Sequence, residues 1–512
     1  MALFESTLVL ALLAIVMLQV SRRLAIPYPT MLALAGVLVA ALPWAPDLAI
    51  DPQLALALFI APALLDAAYD MPLRTLRHYW SPLLALAAGA VLLTTAAVAW
   101  LGMAWAGLPL AAAIALGAIV APPDAAAAAA MLSRLTLPRS TIKVLTGESL
   151  LNDAVALLIF GAAVGAAMAP QASGISGWFS PSLAYAVPGG VLLGFVIGRL
   201  YVSQSHHLSG TLGGTMAEFV GTFGAWVLAE KLHLSAILAV VAYAMTVAHH
   251  MPSRQSARDR VHSYSVWAAA VFFLNVLAFL LLGLQARAIV ARLDRVQFGQ
   301  ALIFAALVLA VVIGVRIAWV MLYGRVAQYL PKRSDGPPPP SLAQSIVASW
   351  CGMRGLITLA TALALPAKFP SRDVIMLSAL AVVLGTLVVQ GCTLVPLVRR
   401  LRFPEDDELS CHLAEVRQQL LQVALRHLEG MDEPAAERLR QELEISGQGD
   451  YAQTDARIDQ LRRLSLVARR EHLLHLRRDG AIDDDAFRTL ESELDWAELA
   501  ATPAERMEIM EG

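Results

Sequence analysis

GAIVAPPDAAAAAAMLSRLTLPRSTIKVLTGESLLNDAVALLIF, residues 117–160, places acids inside sequence apolar enough for lipid. Two long apolar runs flank a short basic connection, Ser133 to Lys143. Asp124 lies in the first run, Glu148 and Asp153 in the second. An ionised side chain at the bilayer centre costs a few kcal/mol or more, so it normally faces a cavity, an ion or a partner. At about 1.5 Å per residue, Asp124 lies roughly 12 Å above the connection and Asp153 roughly 18 Å. In a hydrocarbon core about 30 Å thick, both sit near the middle. Two antiparallel helices joined by a short loop are expected to be neighbours, and their acids to share one site. That pattern points to a cation pathway.

The rest of the chain supplies the membrane around it. Of 512 residues, 58% are hydrophobic and 15% charged, and the mean hydropathy is +0.63, the profile of an all-α polytopic membrane protein. The net charge of −2 hides a division. Residues 1–404 carry 25 basic and 14 acidic side chains, whereas 405–512 carry 13 Arg, no Lys and 26 acids. A transmembrane domain (1–404) is therefore expected, followed by an acidic helical cytoplasmic tail (405–512). The basic residues of the first part fall in short loops, where they orient spans. Nucleic-acid binding is thereby disfavoured. Cys351, Cys392 and Cys411 are scattered and suggest neither disulfides nor structural zinc. The first apolar run, Thr7 to Val20, has Arg22-Arg23 after it instead of a basic segment before it, so a retained span is expected.

Apolar runs of spanning length predict thirteen helices, near 6–21, 29–44, 53–70, 82–101, 109–131, 141–168, 183–201, 210–230, 234–249, 264–285, 299–322, 341–366 and 373–398. Arg22-Arg23, Arg74–Arg77, Arg134–Lys143, Arg254–Arg260, Lys332-Arg333 and Arg399–Arg402 fall on alternate connections. They assign that side to the cytoplasm, with the N-terminus outside and the tail inside. Arg287, Arg292 and Arg295 break the rule and suggest an interfacial helix at 286–298. Pro337–Pro340 read as a stiff spacer. The tail's helical periodicity predicts amphipathic helices with a regulatory role, and it holds no phosphate-cradling glycine motif.

Pro122 and Pro123 lack backbone donors and interrupt the helix just before Asp124. A broken helix at membrane depth is tolerated where it lines a cavity, and its freed carbonyls can meet cations. In GESLLNDAVALL, Ser149 and Asp153 share a face at i, i+4, as do Glu148 and Asn152. Ser149 and Asp153 offer hard oxygens to an alkali cation. Glu148 points elsewhere and requires a base. Arg354, in SWCGMRGLITLA, is the favoured partner because Gly352 and Gly355 mark a second interrupted helix able to cross the first. Arg316, in VVIGVRIAWV, is the reserve. Asp66, in FIAPALLDAAYDMP, is a further deep acid, and Glu218 is expected either to line the path or to tie helices together. His206-His207 and His249-His250 fall at span ends as ordinary interfacial histidines.

GESLLNDAVALLIF and SWCGMRGLITLATALALP resemble hallmark segments of the monovalent cation:proton antiporter family, in its sodium/proton exchanger branch. APPDAAAAAAMLSRLTLP resembles that family's broken-helix segment, and LNVLAFLLLGLQ is similar to a weaker one. The resemblance implies about thirteen spans with inverted repeats and two broken crossing helices, a six-helix core part moving against a dimerisation part, and a homodimer in the cell membrane. It implies exchange of Na+, with Li+ or K+ as alternatives, for H+, serving pH and cation homeostasis. No cofactor and no enzymatic activity are implied; the ions are substrates and the other partner is membrane lipid. Residue by residue, it makes Asp153 and Asp124 the ion-site acids, with Ser149 a ligand and Asn152 beside them. Asp66 matches a position that the family often fills with Glu. Glu148 and Arg354 match its structural ion pair. The Asn152-Asp153 order resembles the electroneutral branch. Where many members have Thr-Asp-Pro, this chain has Pro123-Asp124-Ala125, without the threonine ligand. The competing class is a cation channel, or a membrane sensor signalling through its tail.

Overall fold

Prolines, glycines and caps decide where the helices stop. In the computed structural model they are α1 (Ala2–Leu24), α2 (Tyr28–Ala40), α3 (52–69), α4 (Leu73–His78), α5 (Trp80–Ala106), α6 (Leu110–Val120), α7 (Arg139–Met168), α8 (Pro181–Leu208), α9 (Leu212–Lys231), α10 (Ala236–His250), α11 (Ala257–Val290), α12 (Arg295–Tyr329), α13 (Leu342–Trp350), α14 (Leu356–Leu363) and α15 (Arg372–Leu401). The structure describes all residues except 1, 25, 43–50, 70, 72, 125–136, 169–180, 209–210, 252–253, 256, 291–294, 330–336, 402, 404–406, 430–432, 449–450, 480–483 and 501–512. Among the described residues there is no strand.

Local chemistry accounts for several ends. Gly107 takes φ +60° past α5, and the next amide, Leu108, donates back to the Gly102 carbonyl (3.1 Å). Glycine adopts that left-handed conformation without the penalty a Cβ would bring. Immediately after the proline run, Ser341 and Gln344 form a reciprocal capping box that starts α13. Two stretches widen to π-helix, Leu56–Ile60 in α3 and Ala85–Ala90 in α5. In the second, Trp319 of α12 donates its indole N–H to the Ala85 carbonyl at 2.9 Å. Gly36 of α2 and Gly283 of α11 let two backbones meet so closely that a Cβ on either would overlap the other helix. Small residues of this kind bring helices together where lipid gives no hydrophobic drive.

Every apolar stretch expected from the sequence overlaps helix. Among the described residues, six helices are long and apolar enough to cross a membrane: Trp80–Ala106, Arg139–Met168, Tyr185–Leu208, Asp259–Arg287, Phe298–Tyr329 and Arg372–Leu401. Four more apolar helices are shorter. Thirteen spans remain the expectation from the sequence. The expected helix at 109–131 stops at Val120; residues 121–124 are not helical, and 125–131 lie outside the described residues, as does Asp70. The stretch 341–366 is two helices, α13 and α14, separated at 351–355. At 286–290, α11 simply continues, and Arg287 donates to the Leu42 carbonyl beyond the end of α2 (3.1 Å).

The short helix α6 sits in the middle of the apolar packing. Leu116, Ile119 and Val120 pack with Phe304, Val308 and Val312 of α12 and with Ile375, Ala379 and Val382 of α15.

Backbone contacts divide the chain into two units, 1–405 and 406–511. The second holds α16 (Asp407–Leu428), α17 (Pro434–Gln448), α18 (Tyr451–Arg478) and α19 (Asp484–Ala500). Leu466, Leu473 and Leu494 bury themselves between α18 and α19. Arg470 bridges Asp495 (2.8 Å) and Glu498 (2.5 Å) beside them. These ion pairs are exposed and contribute little, so the three leucines carry that hairpin.

Candidate functional site

The break after α6 leaves carbonyls that the helix cannot satisfy, because Pro122 and Pro123 carry no N–H. Asp124, the next residue able to donate, turns away and gives its amide to the Met353 carbonyl at 2.7 Å. Arg354 fills the vacancy. Its Nε donates to the Val120 carbonyl (3.0 Å), Nη2 to Ala121 (3.0 Å), and Nη1 to Gly352 on its own strand of the crossing. Its amide donates in turn to the Thr386 hydroxyl of α15 (3.0 Å). A buried guanidinium thus stitches one interrupted helix to the other.

The exchange of bonds runs both ways. The Asp124 carboxylate accepts from the Leu356 amide at 3.3 Å, at the first turn of α14, where free N–H groups and the helix dipole favour an anion. Gly355, directly before α14, lies so close to that carboxylate that a Cβ would occupy its space. The crossing of two broken helices predicted around Gly352 and Gly355 is present.

Helix α7 completes the site. Asn152, fully buried, donates its amide to the Pro123 carbonyl (3.3 Å) and so ties α7 to the break. Asp153, 1% exposed, keeps Oδ1 without a hydrogen-bond partner. Asp124 and Glu148 are the charges that act on it. Ser149 stands half-buried one turn before Asp153. Asp153, Asp124 and Asn152 therefore lie where α7 meets the crossing, with Ser149 one turn away on α7.

One expectation changes. Glu148 pairs with Arg316, not Arg354: Nη1 meets Oε1 at 2.6 Å and Nη2 meets Oε2 at 3.0 Å, while Nη2 also reaches the Ala348 carbonyl (3.0 Å). The partners are 2% and 1% exposed. The reserve arginine takes the pair because the carbonyls freed by the break claim the favoured one. Asp66 is exposed on α3, in the wall of a cavity of about 60 Å³ whose other walls include Glu218 of α9, Tyr243 of α10 and Trp267 of α11.

Sequence reasoning passed over Thr386, and also Thr358 and Thr361 of α14, whose buried hydroxyls have no hydrogen-bond partner. A threonine pair three residues apart in LITLATAL, on a helix starting at the break, was the available signal. Among the described residues no cluster of three or more His, Cys, Asp or Glu could hold a resident metal.

Comparison with known proteins gives the family and the fold. Residues 8–400 match the family described as "Sodium/hydrogen exchanger, transmembrane". An uncharacterized Na+/H+ exchanger of Mycobacterium tuberculosis is 31% identical, over 97% of this chain and 96% of that protein. A sodium, potassium, lithium and rubidium/H+ antiporter of Bacillus pumilus is 30% identical, over 80% of this chain and 63% of that one. The solved structure of the sodium proton antiporter MjNhaP1 from Methanocaldococcus jannaschii at pH 8 superposes with a TM-score of 0.60 at 17% identity. It covers 77% of this chain and all of that one, a likeness of fold.

Proposed function

The chain belongs to the sodium/hydrogen exchanger family, a family of membrane transporters and not of enzymes, and from that premise we propose that it exchanges a monovalent cation, Na+ first, for H+ at one site built by Asp153 and Asp124. The observation that carries the reading is the unpartnered oxygen of Asp153, buried where two broken helices cross. A buried carboxylate oxygen without a partner is costly unless a ligand visits it. Either a dehydrated cation or a proton satisfies it, and both cannot do so together. Competition for the same oxygens couples the two fluxes.

Asp124 lends the second carboxylate and Ser149 a hydroxyl oxygen; Asn152 holds α7 against the Pro123 carbonyl. The Glu148–Arg316 pair and Arg354 are scaffold. The core part carries the occupied site across the membrane by alternating access, as transporters with broken helices do. Neutral Asn152 before Asp153 suits electroneutral exchange. The working unit is a homodimer in the cell membrane, with its tail in the cytoplasm as a regulatory segment. Proteoliposomes given Na+, Li+ and K+ gradients in turn, with a trapped pH dye, test the reading. Proton movement driven by at least Na+ supports it; none with any of the three refutes it.

A further inference from the structure

Helix α15 carries an amide side chain in its most buried stripe. Leu387, Gln390, Leu394 and Val398 follow one another at helical spacing, and Gln390 is 0% exposed. The three apolar members pack in one cluster with Tyr28, Leu32 and Ala33 of α2. Neither Nε2 nor Oε1 of Gln390 has a hydrogen-bond partner among the described residues. A buried amide with both ends idle is costly, and packing does not explain it.

The hydroxyls along this stretch are committed elsewhere. Thr386, one turn before Gln390, donates to the Val383 carbonyl (3.1 Å) and accepts from the Arg354 amide. Thr393 donates to carbonyls of α15 itself and accepts from the Trp350 indole of α13 (2.9 Å). Thr30 of α2, fully buried, donates across to the Leu387 carbonyl (2.9 Å). These bonds put Gln390 at a seam. Through Thr386 and Arg354, α15 is fixed to the crossing. Helix α2 is fixed instead to α11, where Gly36 and Gly283 bring two backbones together. A part that carries the crossing through the membrane slides along α2 here, and the Thr30–Leu387 bond is one it breaks.

We propose that Gln390 positions this moving part. Its amide is stranded while the α2–α15 seam is closed and takes up water when the seam parts, so the closed arrangement does not outweigh the open one. This rests on the exchanger reading above, in which the crossing moves. Thr30 acts in the opposite sense and holds the seam shut. An apolar side chain of similar length at 390 would lose nothing in the closed seam and gain nothing in the open one.

The experiment uses the full chain, with its thermal midpoint read in detergent and sodium-driven proton movement read in proteoliposomes. Gln390→Met is expected to raise the midpoint and to lower kcat about tenfold, the worth of one stranded polar group. KM for Na+ should change less than twofold, because the amide does not touch the ion. Thr30→Val, added to Gln390→Met, removes the bond across the seam and is expected to raise kcat again at least about threefold. A midpoint that falls or stays, or a Gln390→Met chain that does not fold, overturns the proposal, because the amide is then satisfied in the closed seam. A resident water there gives that same outcome. An unchanged kcat, a KM shifted as much as kcat, or no recovery with Thr30→Val overturns it too. Wild-type exchange in the same proteoliposomes keeps the two readings apart. Its absence overturns the exchanger reading, whereas intact wild-type exchange with an unshifted Gln390→Met overturns Gln390 alone.

Discussion

Glu148 and Arg316 meet through two parallel hydrogen bonds, 2.6 and 3.0 Å long, across a contact between α7 and α12 closed to water. Such a pair gains little over apolar residues of the same shape, but breaking it leaves a naked charge. Arg316→Met should therefore cost about 3–5 kcal/mol, read as a lower thermal midpoint in detergent. Adding Glu148→Gln should recover more than half of the loss. Two additive losses would show that the pair is not coupled.

Arg354 should behave differently. Arg354→Met frees the Val120, Ala121 and Gly352 carbonyls, and each buried acceptor left unpaired costs about 1–3 kcal/mol. Because Glu148 is not its partner, Glu148→Gln should give no rescue. Rescue in the same thermal assay would return Arg354 to the ion pair.

Gly355→Ala tests the crossing. The new methyl group would displace the Asp124 carboxylate from the start of α14, so exchange should fall at least about tenfold, a displacement worth 1.4 kcal/mol or more at the site. Gly314→Ala, where a Cβ meets nothing within 4 Å, is the control and should change little. Equal activity of the two would remove the tight contact from the account.

Ending the chain after Glu405 tests the tail, which forms its own unit. Cation-driven proton movement should survive, with its pH or cation dependence displaced. Loss of transport would make residues 406–512 integral to exchange.

What the sequence made legible follows one physical rule. An acid in lipid and a proline in a helix are both expensive, so Asp124, Glu148, Asp153 and the Pro122-Pro123 break announced themselves, and the structure gathers Asp124 and Asp153 at the crossing. The expectation that failed concerned partnership. Two buried arginines were visible, but which one met Glu148 depended on where the orphan carbonyls of the break would point. That is a property of the crossing in three dimensions, and spacing along the chain does not encode it. The depth of Asp66 could be read from its apolar run, but the cavity its helix opens on could not. Thr358 and Thr361 gave only the weak signal of their spacing, because a buried hydroxyl costs far less than a buried charge.

The central claim is that cation and proton compete for the buried oxygen of Asp153. Asp153→Asn, reconstituted in proteoliposomes beside the wild type, tests it with a sodium gradient and a trapped pH dye. The amide keeps the shape and removes the charge and the titrating group. The account predicts that sodium-driven proton movement disappears while the protein remains folded and inserted. Exchange at near the wild-type rate would contradict it.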